Sequence, residues 1–96
     1  MPETSVLIVC NRERYLKETV RNLLATCEGD IEILIQFDGR LQRIPKDKRV
    51  KRFVSEHLRG RRVSLNELVT KAQGDYFFHT DGHCWMLQKG WDKKLI

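Results

Sequence analysis

Two apolar runs, Ser5-Val6-Leu7-Ile8-Val9-Cys10 and Ile31 to Phe37, limit what this chain can fold into more than any other feature. The first is continuous and rich in β-branched residues, the composition of a strand buried on both faces, as in a parallel sheet. The second ends at Asp38-Gly39, a strong turn pair. Between them Tyr15, Leu16, Thr19, Val20, Leu23 and Leu24 recur at three- and four-residue steps. That spacing lines one side of a helix over Glu13 to Thr26, with Asn11 as its cap and Glu28-Gly29-Asp30 as its break. Strand, helix and strand within about thirty residues make a βαβ unit, which should cross over right-handed.

The remainder continues the alternation. Ile44 to Lys48 reads as loop or short helix with Pro45 at its start, and Arg49 to Val54 as a third strand. Ser64 to Gln73 reads as a helix: Ser64 and Glu67 form a capping box, Leu65, Leu68, Val69 and Ala72 the buried stripe, and Gly74 the stop. Tyr76 to Thr80 is a further strand, and Trp85 to Leu95 should open another helix. With no internal repeat and no linker, residues 1–96 should form a single α/β domain, a mostly parallel sheet with flanking helices.

At 96 residues one core is adequate. The apolar run Val6 to Cys10 is far too short to span a membrane, and Glu3 ahead of it is unlike a secretion signal, so the expected compartment is cytoplasmic. Cys10, Cys27 and Cys84 are odd in number and unrelated in spacing, which favours reduced thiols, with Cys10 a small buried hydrophobe. The net charge of +5 is concentrated: Arg40 to Arg62 holds ten basic residues against Asp47 and Glu56. Such a block either is a solvated face or attracts a polyanion: nucleic acid, a membrane surface or a diphosphate.

Ligands of open parallel sheets bind beyond the carboxyl ends of the strands. Three expected strands end there in polar residues: Cys10-Asn11-Arg12, Asp38-Gly39 and Asp81-Gly82-His83. In an extended segment His79, Asp81 and His83 would share a face. Asp81 and His83, a carboxylate and an imidazole separated by one glycine, can grip a divalent ion whose other positions are filled by water and phosphate oxygens. His79, inside the strand, reads better as a hydrogen-bonded core histidine.

These residues, in this order, resemble the GT-A fold of glycosyltransferases, especially the large family-two group. The opening strand and Cys10-Asn11-Arg12 are similar to that group's Y-N-R turn, and Thr19 to Leu24 to its following helix. Asp38-Gly39 stands where the group has V-D-D-G-S. Gly60, Asn66, Ala72, Gly74 and Tyr76 all fall in frame with G-x-x-x-A-R-N-x-G-x-x-x-A-x-G-x-Y. Ser64, Leu65 and Leu68 depart from it, which leaves Arg61 or Arg62 to substitute for the missing arginine. Asp81-Gly82-His83, followed by Cys84, resembles the D-x-H metal motif of polypeptide N-acetylgalactosaminyltransferases.

The resemblance implies a truncated, Rossmann-like nucleotide-binding half that holds a nucleotide-diphosphate sugar, a UDP-sugar above all. Asp38 with Gly39 would contact the base or ribose, and Asn11, Arg12 and Asn66 would shape the donor pocket. Asp81 and His83 would hold Mn²⁺ or Mg²⁺, an imidazole ligand favouring manganese. The acceptor half is absent, the acceptor is unknown and no residue is assigned as catalytic base. By analogy the sheet order is third, second, first, last strand. That leaves Tyr76 to Thr80 as an apolar edge through which the chain should form a homo-oligomer. The competing readings are a non-catalytic nucleotide-binding remnant, a small zinc domain and an RNA-binding module. The zinc domain would use His79, Asp81, His83 and Cys84, crowded into six positions where structural zinc draws on two segments. The RNA module would use the basic stretch, in which Phe53 is the only aromatic.

Overall fold

The computed structural model describes residues 2–11, 14–39, 41–55, 60–80, 90 and 92, with the side chain of residue 61 excepted. The elements are β1 (Thr4–Cys10), α1 (Leu16–Thr26), β2 (Ile31–Asp38), β3 (Val50–Ser55), α2 (Arg61–Lys71) and β4 (Tyr76–His79). The strands form one sheet in the order β3-β2-β1-β4, and every neighbouring pair is parallel. This is the expected α/β architecture and the expected strand order.

Every residue of β1 and β2 is buried, which is why these two runs are apolar almost throughout. Side chains of one parity face α1: Val6, Ile8 and Cys10 of β1 and Ile31, Ile33, Ile35 and Phe37 of β2 pack with Leu16, Val20 and Leu23. The other parity faces α2, where Leu7, Val9 and Leu34 meet Leu68, with Phe53, Leu65 and Ala72 at the margin. Burying each such side chain contributes roughly 1.5–3 kcal/mol. The two helices therefore close opposite faces of the central strand pair, and β3 and β4 are its edges.

Four local expectations are corrected. Asn11 does not cap α1; the helix begins at Leu16, and Tyr15 occupies the cap position with no side-chain hydrogen bond. Half of Tyr15 is exposed, with the Arg14 guanidinium 5.4 Å from its ring. The capping box of Ser64 and Glu67 does not form: α2 starts at Arg61 behind Gly60, and Ser64 lies inside it, buried against the sheet. The inner line of α2 accordingly runs through Ser64, Leu65, Leu68 and Ala72, leaving Val69 on the flank at 41% exposure. Gly74 is not the helix stop, because α2 ends at Lys71 and Ala72 is its C-cap. A Cβ on Gly74 would lie 2.6 Å from Ser5 Oγ and 2.7 Å from Ser5 N, so the glycine permits a close approach of two backbones.

His79 is exposed rather than part of the core. It pairs in register with Leu7 on the α2 face, but β4 is, among the described residues, an outer strand of four residues. The segment expected to form a helix from Trp85 lies outside the described residues apart from 90 and 92. Asp92 is 1% exposed and accepts hydrogen bonds from Glu28 N at 2.8 Å and Gly29 N at 2.7 Å. Gly90 N donates to Thr26 O beside it. Among the described residues no helix is long and apolar enough to cross a membrane.

Candidate functional site

The carboxyl end of the sheet gathers the ends of β1, β2 and β3 and the start of α2. Parallel registration sets Cys10 opposite Phe37 and Asp38 opposite Ser55, so these ends are level. At the end of β2 the Asp38 side chain, 4% exposed, accepts a hydrogen bond from Gly60 N at 3.0 Å. A carboxylate on that N–H sits where the helix dipole favours negative charge, and it ties the start of α2 to the strand. Gly39 follows with φ of 105°, a turn that an L side chain resists, and its N–H donates to Ser55 O at 2.9 Å. Behind it Gln36 Nε2 donates to Ser55 Oγ at 2.7 Å, while its Oε1 is buried with no partner among the described residues.

Asp38, Gly39 and the exposed Asn11 thus lie at one end of one sheet, beyond the strands that carry them. Asn66 stands on the exposed side of α2, whereas Ser64 and Leu68 of the same helix face the sheet. Arg12, Asp81 and His83 lie outside the described residues, as does Cys84 of the zinc reading. Thr80, the residue before Asp81, is buried and donates its N–H to Leu7 O at 3.1 Å, so the chain is fastened to β1 up to that point. Among the described residues no three His, Cys, Asp or Glu side chains converge as a metal site. Cys10 is a buried thiol, as expected, and Cys27 is half-buried; neither is in a disulfide.

A second polar cluster, at the opposite end of the sheet, was not foreseen. Glu32 of β2, 2% exposed, accepts hydrogen bonds from Ser5 Oγ at 2.6 Å, Lys51 Nζ at 2.7 Å and Gln73 N at 2.6 Å. Ser5 Oγ in turn accepts from Gly74 N at 2.8 Å. Burial alone would raise the Glu32 carboxyl, but the hydrogen bonds from Lys51, Ser5 and Gln73 and the Lys51 charge outweigh it and hold the group below its ordinary value. The sequence signal was a lone glutamate inside an apolar strand, a residue type rarely buried without a partner. Nearby, Arg49 forms a bidentate pair with Asp47, whose carboxyl its hydrogen bonds pull down to about 2. The Arg49 guanidinium also lies 3.7 Å from Cys27 Sγ, although burial still pushes that thiol up.

An all-parallel α/β sheet whose helices cover both faces is a doubly wound α/β fold, in which ligands bind beyond the carboxyl ends of the strands. The sequence pattern of "Glycosyl transferase family 2" matches residues 4–96, and the chain belongs to that family. It is also 31% identical over 104 aligned positions to a Haemophilus influenzae (strain ATCC 51907 / DSM 11121 / KW20 / Rd) protein named "Uncharacterized glycosyltransferase". The alignment takes in 99% of this chain and 42% of that relative, so the chain spans less than half the relative's length.

Proposed function

We propose that this domain binds the nucleotide-diphosphate sugar of a glycosyl transfer reaction, a UDP-sugar being the best candidate, at the carboxyl end of its sheet. The observation that carries the reading is the Asp38 carboxylate, joined to Gly60 N at 3.0 Å beside Gly39, within a chain of family-two sequence. In this reading Asp38 and Gly39 receive the base or ribose, and Asn11 and Arg12 close the pocket from the end of β1. Asn66, exposed on α2, belongs to the pocket only through a donor that reaches past the helix start.

A divalent cation fits the donor set that follows Thr80 in the sequence. Asp81 and His83 would hold it, a carboxylate and an imidazole together suiting manganese better than magnesium. When bound, such an ion supplies Lewis-acid neutralisation of the departing diphosphate. The chain's own residues bind and orient the donor; no base for the acceptor is assigned.

Two observations weaken the competitors. His79, one of the four residues of the zinc reading, is an exposed residue of an edge strand. Phe53, the aromatic of the RNA reading, has Lys71 Nζ 4.2 Å over its ring, which occupies one face that a base would stack on.

Titration calorimetry with UDP, GDP and CDP, with and without Mn²⁺, tests the proposal. UDP should bind with a metal-dependent increment that Asp81→Ala abolishes. Binding that is independent of metal, or unchanged in that variant, removes the assignment, and a parallel assay for donor hydrolysis or transfer separates an enzyme from a binding domain. The homo-oligomer expected through β4 is part of the same proposal, supported by Tyr76 and Phe77, which are 48% and 49% exposed on that edge. A single monomeric species in light scattering at high concentration would exclude it.

A further inference from the structure

We propose that the β3 edge, with the segment leading into it, is a docking surface for an anionic phospholipid bilayer. Residues 41–55 hold six basic side chains, Arg43, Lys46, Lys48, Arg49, Lys51 and Arg52, against Asp47 alone. Their net charge of +5 equals that of the whole chain, because the other residues balance at twelve basic and twelve acidic. The net positive charge of the chain is thus matched by this one segment.

Two of the six are engaged internally, Arg49 with Asp47 and Lys51 with the buried Glu32. Arg43, Lys46, Lys48 and Arg52 are exposed. Lys46 and Arg52 line one crevice of about 170 Å³ together with Ile44, Pro45, Val50 and Asp47, whose charge Arg49 neutralises. Aliphatic side chains stand among the charges: Leu41 is 50% and Val54 54% exposed. Cations interleaved with exposed aliphatic groups complement anionic headgroups over an acyl boundary.

The same details disfavour other polyanions. Single-stranded nucleic acid needs aromatic faces for stacking, and the one aromatic of the segment, Phe53, lies under Lys71. The donor diphosphate is excluded for Lys48 and Arg49 by position. Val50 pairs with Ile33, five residues along β2 from Asp38, so these two lie roughly 16 Å or more from the carboxyl end.

The test is sedimentation of the protein with vesicles of phosphatidylcholine alone or mixed with phosphatidylglycerol. Binding to the mixed vesicles only is expected, lost at an ionic strength of about 1 M where the screening length falls to about 3 Å. The triple variant Lys46→Gln, Lys48→Gln, Arg52→Gln should bind at least about tenfold more weakly. A control with the same charge change elsewhere, Arg14→Gln, Lys17→Gln, Arg21→Gln, should retain binding. All six positions are exposed, and circular dichroism verifies that both variants fold. Equal loss in the two variants, no binding to mixed vesicles, or tighter binding to polyuridylate than to those vesicles each overturns the proposal.

Discussion

At the amino end of the sheet, a buried carboxylate is surrounded by donors from three other places in the chain: Glu32 takes bonds from Ser5, Lys51 and Gln73. At the carboxyl end, the Asp38 carboxylate holds the start of α2, and the buried Gln36 Oε1 has no partner among the described residues. The first arrangement is closed, with three other segments converging on one acceptor. The second keeps polar groups beside a turn and a helix start, where they can be re-paired by a ligand. On the proposed function, stability and recognition are separated along the strand axis, a division that parallel sheets make natural because their turns of one kind all fall at one end.

That comparison can be broken by experiment. The largest effect is expected from Glu32→Ala, which strands the buried Ser5 hydroxyl and removes the acceptor of Lys51 and of Gln73 N; we expect a loss of roughly 2–4 kcal/mol in urea unfolding. Nucleotide affinity, measured well below the new transition, should stay the same. Gly74→Ala comes next, because the added Cβ meets Ser5 N at 2.7 Å and the Thr4 carbonyl carbon at 2.9 Å. Relief of that overlap should cost about 1–3 kcal/mol, again without changing affinity. Asp38→Asn should do the reverse, lowering stability by no more than about 1 kcal/mol while weakening nucleotide binding about tenfold or more. An Asp38→Asn variant that unfolds easily yet binds normally would erase the distinction between the two ends.

The smallest effect sharpens rather than breaks the contrast. The folded-state pKa of Glu32 is below its ordinary value of 4.5. Its contribution to stability is therefore complete above that value and fades as pH falls through the lower, folded-state value. Glu32→Gln should flatten this part of the acid limb of a stability–pH curve. Asp38→Asn is the comparison variant from the other end of the sheet.

The βαβ opening was readable from the chain because its signals are local: continuous apolar runs buried on both faces and a stripe at helical spacing. The start of α2 was misread for the opposite reason. Ser64 and Glu67 have the spacing of a local cap, but the carboxylate that meets the first N–H comes from Asp38, twenty-two residues away. His79 reads as internal from its place within a strand, but that strand is an edge in both the expected and the observed sheet order, so strand membership does not bury it. The clamp of Asp92 on Glu28 and Gly29 joins residues more than sixty positions apart, beyond any periodicity argument. Of the candidate site, Asp38 and Gly39 were legible from a turn pair after a buried strand. Asn66 was carried by family spacing alone and stands on the outer side of its helix.

The Asp92 clamp joins two distant parts of the chain. Its side chain accepts from Glu28 N and Gly29 N, and Gly90 N donates to Thr26 O, so the connection from α1 to β2 is held from a point more than sixty residues later. Without that carboxylate two adjacent N–H groups lose their acceptor, and Asp92→Ala should open the entry to β2, read as faster amide hydrogen exchange at Glu28 and Gly29.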